Sequence, residues 1–181
     1  MRLEPRRLAG VFEIVPEPRG DERGYFMRWY DRESFARAGL PTEWVQGNES
    51  SSRRNVVRGL HFQRPPHAEA KLVRAIAGAV FDVFVDLRRG SPTYGQWDAV
   101  ELTATRKNAV LIPRGFAHGF CARTDDAVVS YLVDNAYAPQ AEGGLAWDDP
   151  ALGIAWPLQG PAIVSQRDRA WPPLAALEPL G

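Results

Sequence analysis

Between positions 71 and 87 the chain reads KLVRAIAGAVFDVFVDL, two apolar stretches divided only by Gly78. Within the second stretch Phe81, Val83, Val85 and Leu87 share one face by a two-residue period, opposite Asp82 and Asp86. An α-helix would scatter these positions around its circumference, whereas successive residues of a strand alternate sides. The pattern predicts a half-buried antiparallel strand over 79–87, with a tight turn at Gly78. Similar short runs recur at 11–16, 25–30, 44–50, 56–62, 71–77, 96–102, 109–112, 115–122 and 127–133. About nine to eleven strands at roughly ten-residue spacing, punctuated by Gly and Pro, indicate a sandwich or barrel.

Helical windows are too few for alternating βα units. The one convincing helix covers 31–38, with Asp31 as N-cap, Phe35 and Ala38 three apart, and Gly39-Leu40-Pro41 as its stop. The 11–16 run alternates weakly and ends at Pro16 and Pro18, as an edge strand does. After Ala138-Pro139 the periodicity dissolves. The tail from 139 to 181 is read as irregular but ordered, because Trp147, Trp156 and Trp171 are costly to leave in water. The expectation is one domain over 1–181, with this tail packed on the barrel.

Twenty-two Lys and Arg balance twenty-two Asp and Glu. No net basic field draws the chain to nucleic acid or to an anionic membrane. No apolar run approaches the ~20 residues of a membrane helix, and the N-terminus lacks the apolar core of a signal peptide. The single cysteine, Cys121, cannot form an internal disulfide and reads as a buried structural thiol. The expected location is the cytoplasm.

The densest chemistry lies at 58–71, RGLHFQRPPHAEAK, stiffened by Pro65-Pro66. Two readings of its imidazoles compete. In one, His61, His67, Glu69 and His118 ligate a divalent metal, since imidazole and carboxylate suit iron, manganese or zinc. Against it, His61 and His67 lie six apart across a rigid proline pair. In the other, His61 is a general base, Lys71 a cation that stabilises developing negative charge, and Tyr131 a general acid. A phenol in the apolar strand VVSYLV needs either such a task or a backbone carbonyl to bond.

The sequence resembles the dTDP-4-dehydrorhamnose 3,5-epimerase family. The resemblance runs through DERGYF (21–26), QGNESSS (46–52), the whole of 57–97, IPRGFAHGF (112–120), Tyr131, YAP (137–139), WDDP (147–150) and SQRD (165–168). It implies an all-β, cupin-like double-stranded β-helix, or jelly roll, with short peripheral helices. It also implies a metal-free, cofactor-free enzyme that inverts C3 and C5, or C3 only, of a dTDP-4-keto-6-deoxyhexose through an enolate, in deoxysugar biosynthesis. By the same resemblance His61 is the base, Asp168 its carboxylate partner, Lys71 the group beside the C4 oxygen and Tyr131 the proton donor. Arg23, Phe26, Gln46, Asn48, Arg58, His118 and Glu142 match substrate contacts, and Tyr137 matches the ring that stacks on the base. The family is typically homodimeric with N-terminal strands crossing between subunits, which assigns 11–16 to pairing with a partner. The chain departs from the family pattern at Arg28, where glutamate is usual, and at Gly47, Glu49 and Ala136. Besides the metal-dependent oxygenase or isomerase, a non-catalytic sugar-nucleotide binding module with the same fold stands as an alternative.

Overall fold

Apolar alternation becomes strand wherever a sheet can bury it, and in the computed structural model, which describes residues 1–181, it does so fourteen times. The strands are β1 (Arg2–Pro5), β2 (Phe12–Val15), β3 (Arg19–Asp21), β4 (Gly24–Phe26), β5 (Gln46–Ser52), β6 (Val56–Gln63), β7 (Lys71–Ala77), β8 (Ala79–Asp86), β9 (Trp97–Thr103), β10 (Ala109–Ile112), β11 (Phe116–Ala122), β12 (Ala127–Val133), β13 (Glu142–Gly144) and β14 (Ile163–Val164). One sheet has the order β1-β2-β10-β7-β12-β5; the facing sheet has β13-β6-β11-β8-β9, with β14 added alongside β6. The two face each other as a cupin-like jelly roll, and β3 and β4 form a separate hairpin. At Gly78 the chain passes from one sheet to the other, so β7 and β8 do not pair as neighbours.

The space between the sheets is filled from both sides, by Val73, Ala75, Val110 and Ile112 from the first and Val80, Phe84, Phe116 and Phe120 from the second. The outer faces are covered as well. Helix α1 (Arg32–Arg37) lays Phe35 on Ile14, Leu72 and Leu111. Leu145, Leu152 and Leu180 of the C-terminal segment bury against Leu60, Val83, Val85 and Leu87. Each such side chain contributes roughly 1.5–3 kcal/mol of burial, which holds the segment in place although little of it lies in a ladder. The tryptophans join in: Trp156 meets Phe81 edge-on and donates its indole N–H to the Trp147 carbonyl, 2.8 Å away.

Three expectations change. Strand β8 is buried on both faces, with Asp82 and Asp86 fully buried, because the side that alternation assigned to water points between the sheets with Val80 and Phe84, while the tail covers Val83, Val85 and Leu87 on the other. The 11–16 run is not an edge: β2 lies between β1 and β10, and β1 is the terminal strand of that sheet. The aromatic run at 25–30 is strand only to Phe26, after which Trp29 and Tyr30 turn to pack around α1. The helix itself is as expected, with Asp31 accepting the Ser34 N–H at 2.9 Å. Cys121 is buried and burial raises its thiol pKa, so it is inert. No helix is long and apolar enough to cross a membrane.

Candidate active site

Strand β6 presents Arg58, His61 and Gln63, and β7 presents Lys71 from the opposite sheet. His118 on β11 lies directly across the ladder from His61, and Tyr131 on β12 lies across from Asn48 on β5. The residues converge because the two-residue period sends alternate side chains of each strand into the space between the sheets, and on β6 an irregularity in the register between Arg58 and His61 brings both to that side although they are three apart. Two adjoining cavities of about 110 and 180 Å³ share His61, Lys71 and Tyr131 as walls. The first closes against Glu69, Tyr137 and Glu142, the second against Arg58 and His118. A third, of about 440 Å³, extends from His61 between Arg58 and Arg167.

Asp168 arrives from 107 residues further along the chain, and its Oδ1 sits 2.6 Å from His61 Nε2. Strand β14 runs parallel to β6 through Val56 and Val57 and so returns the tail to this point. The other carboxylate oxygen accepts the Gly59 N–H at 3.1 Å. Gly59 has φ of +118°, and a Cβ there would lie 2.7 Å from the His118 carbonyl; only glycine turns that N–H toward the carboxylate. Burial works to raise the Asp168 carboxyl pKa, but the His61 hydrogen bond and charge and the Gly59 N–H outweigh it and hold it below the usual range. An ionised carboxylate can only accept, so Nε2 carries the proton and Nδ1 is left with its lone pair. The pair can therefore take up one proton, at Nδ1.

Lys71 Nζ lies 2.9 Å from Glu69 and 5.8 Å from the centre of the Tyr131 ring. Burial, then the negative Glu69, raise the Tyr131 phenol above its ordinary pKa despite Arg58, so it stands protonated at neutral pH. His118 Nε2 bonds both oxygens of the fully buried Asp82, at 3.1 and 2.9 Å. Burial pushes that carboxyl upward against the pull of His118 and Lys71. Arg58 is anchored by Ser52 Oγ at 3.0 Å and the Ser51 carbonyl at 2.9 Å, which leaves its remaining N–H groups facing the cavities.

Gln46 accepts the Tyr137 N–H at 2.6 Å, and the Tyr137 hydroxyl donates to Glu142 at 2.6 Å. Arg167 also bonds Glu142, a contact that sequence reading missed. Burial raises the Glu142 carboxyl, but the Tyr137 and Arg167 hydrogen bonds bring it below its ordinary value. Arg167 adjoins Asp168 in sequence, yet nothing local marks its pairing with a residue twenty-five positions earlier.

The metal reading finds no ligand set. No three His, Cys, Asp or Glu side chains gather where they could hold an ion. Glu69 is engaged by Lys71 and Gln63, and His118 by Asp82. Arg23 and Phe26 also stay outside this cluster. Arg23 on the β3–β4 hairpin pairs with Asp21, and Phe26, 68% exposed, borders a separate cavity with Arg28.

A cupin-like jelly roll whose interior joins a carboxylate-backed imidazole, an ammonium and a protonated phenol defines a class of acid–base proteins acting on small ligands. Within that class the chain belongs to the dTDP-4-dehydrorhamnose 3,5-epimerase family, whose model matches residues 5–176. It is 48% identical over 169 residues to the dTDP-4-dehydrorhamnose 3,5-epimerase of Methanothermobacter thermautotrophicus, covering 92% of this chain and 91% of that protein. A dTDP-4-dehydrorhamnose 3-epimerase of Streptomyces niveus is also 48% identical, over 170 residues covering 93% of this chain and 82% of that protein. Among solved structures, NovW, a 4-keto-6-deoxy sugar epimerase from the novobiocin gene cluster of Streptomyces spheroides, aligns with a TM-score of 0.93 at 47% identity, over 97% of this chain and 88% of that one. The Legionella pneumophila enzyme in complex with dTDP-4-keto-L-rhamnose aligns with a TM-score of 0.93 at 37% identity, over 98% of this chain and 94% of that one.

Proposed function

We propose that the protein epimerises a dTDP-4-keto-6-deoxyhexose at C3, or at C3 and C5, by proton abstraction and return. The observation that carries this reading is the sharing of His61, Lys71 and Tyr131 between two adjoining cavities, with Asp168 locked to His61 at 2.6 Å. A C–H beside a ketone is weakly acidic and needs a positioned base. His61 Nδ1 takes the proton, and Asp168 holds the tautomer and stabilises the imidazolium that forms. The electron pair moves onto the C4 oxygen, where Lys71, largely buried beside Glu69, offsets the enolate charge. Tyr131 then gives its proton to the opposite face of the carbon. His61 loses its proton to solvent and the phenolate regains one, which resets the site.

Arg58 suits the diphosphate through its forked N–H groups, with His118 beside it. Tyr137 suits the base as a stacking partner, and Gln46, Asn48 and Glu142 suit sugar hydroxyls. We assign Arg23 and Phe26 to the site of a second copy in a homodimer. The exposed Tyr25 and Phe26, and a hairpin that pairs with neither main sheet, support that assignment. A lone buried cysteine and no disulfide fit a reducing cytoplasm.

Incubation with dTDP-4-keto-6-deoxyglucose in deuterated water tests the reading. Deuterium enters at C3, or at C3 and C5, and His61→Ala abolishes it; no incorporation with the native protein overturns the assignment.

A further inference from the structure

Glu69 has no part in the proton transfers described so far, yet its carboxylate is gripped at both oxygens. Oε1 lies 2.9 Å from Lys71 Nζ, with the two side chains only 10% and 12% exposed. Ala70, between them, is buried, and its N–H is pinned to Asp134 Oδ1 at 2.7 Å, which fixes the backbone from which both side chains leave. Oε2 accepts from Gln63 Nε2 at 3.0 Å. Gln63 is itself buried, and its amide can face only one way. Its Oε1 accepts the Ala138 N–H at 2.6 Å, and its Nε2 also faces the carbonyls of His67 at 3.0 Å and Ala136 at 3.3 Å. An oxygen turned toward those three acceptors would be repelled. The amide that braces Glu69 therefore also holds the chain on either side of Tyr137.

We propose that Glu69, braced by Gln63, is a positioning residue for Lys71: it compensates the ammonium in the ligand-free site and aims it at the C4 oxygen. The proposal deepens the proton-transfer reading and rests on it. A cation this buried is costly without a partner, and a flexible lysine stem needs something to fix its end. An ion pair to one carboxylate oxygen does both, and it still leaves ammonium hydrogens for the enolate. The other ionisable groups lining the same cavity do not compete for Lys71. His61 is bonded to Asp168, and Glu142 to Tyr137 and Arg167. Tyr131 offers its ring face, whose centre is 5.8 Å from Nζ.

Glu69→Gln keeps the size and removes the charge. With its oxygen on Lys71, its NH₂ meets the NH₂ of Gln63; with the oxygen on Gln63, its NH₂ meets the ammonium. Either way the grip on Lys71 is lost. The turnover number kcat falls about tenfold, with KM within about twofold of native. Lys71→Met removes the charge-stabilising group outright and lowers kcat by about 10²–10³-fold. Because Glu69 acts through Lys71, adding Glu69→Gln to Lys71→Met causes no further loss. Glu69→Asp keeps the carboxylate on a shorter arm and recovers part of the activity.

The test combines the kinetics of the single and double variants with NMR of protein carrying isotope-labelled lysine, in which Lys71 and Lys107 are the only lysines. Non-additive losses, with a Lys71 Nζ signal that moves in Glu69→Gln while that of Lys107 stays, support the proposal. Losses that multiply in the double variant overturn it and mark Glu69 as acting on the fold alone. An Nζ signal of Lys71 unchanged in Glu69→Gln overturns it as well, since the pair then does not form in solution. Should Glu69→Gln fail to fold, Glu69→Asp, alone and combined with Lys71→Met, decides in the same way. Native protein inactive on dTDP-4-keto-6-deoxyglucose would refute the proposed function, while the Nζ signals, which need no turnover, would still decide whether Glu69 holds Lys71.

Discussion

Replacing Asp168 by asparagine changes one atom and should disable the base without unfolding the protein. In the native site the carboxylate accepts from His61 Nε2 at 2.6 Å and from the Gly59 N–H at 3.1 Å. Asparagine has one acceptor oxygen and one NH₂ group. With the oxygen on Gly59, the amide donates to Nε2, which forces the imidazole proton onto Nδ1, the nitrogen that must be free to take the substrate proton. With the oxygen on Nε2, the NH₂ faces the Gly59 N–H and two donors collide. Either orientation fails, and neither stabilises an imidazolium. A positioned general base is worth typically about 10²–10⁴-fold, or roughly 3–5 kcal/mol of barrier, so kcat should fall by that range. The structural cost is smaller. Losing one charge-assisted hydrogen bond costs about 1.5 kcal/mol, which lowers Tm by roughly 3–6 °C for a chain of this size. Deuterium incorporation followed by NMR gives the rate, and a circular dichroism melt gives the stability. A variant that exchanges within about threefold of native would refute the assignment of Asp168 as the partner of the base.

Three further outcomes follow from the same geometry. Tyr131→Phe should keep deuterium exchange at the carbon facing His61 but lose inversion, since the proton donor of the opposite face is gone; a product ratio equal to native would reassign the acid. Asp86 is fully buried; burial tends to raise its pKa, but bonds from Arg88, Ser91 and Thr93 win and bring it from 3.8 to about 2. A carboxyl lowered on folding stabilises the fold above pH 4 and loses that contribution as pH falls toward 2, about 2 kcal/mol in all; urea titrations of Asp86→Asn should show a shallower loss over that window than native protein. Arg23→Ala and His61→Ala are each expected to be inactive alone, and mixing the two should restore activity if the hairpin serves a partner's site; no recovery from mixed dimers would return Arg23 to its own chain.

Much of the architecture was legible from local pattern. The strand runs, the capped helix at Asp31 and the burial of Cys121 depend on neighbours two to four residues away, and the structure reproduces them. Alternation failed at β8 because it reports which residues differ in polarity and not what covers the polar side. There Asp82 points between the sheets and is buried against His118, 36 residues further on, while Asp86 is held by Arg88, Ser91 and Thr93 of the turn that follows. The same limit hid the order of β1 and β2, since an edge is defined by the absence of a neighbour that sequence spacing does not reveal.

For the site, the sequence by itself marked the reactive groups by type and setting: His61 at the end of an apolar strand beside Arg58 and Gln63, Lys71 in the same dense stretch, and Tyr131 in the apolar run VVSYLV. The resemblance of its motifs added Asp168. Only the tertiary structure decided the connections. The return of β14 alongside β6 brings Asp168 to Nε2 and so leaves Nδ1 as the free nitrogen. The same fold sets Arg167 on Glu142 and the Trp171 indole against His61. Residue type specifies which protons a side chain can hold, but distance and burial, set by chain segments a hundred residues apart, specify which of those protons can move.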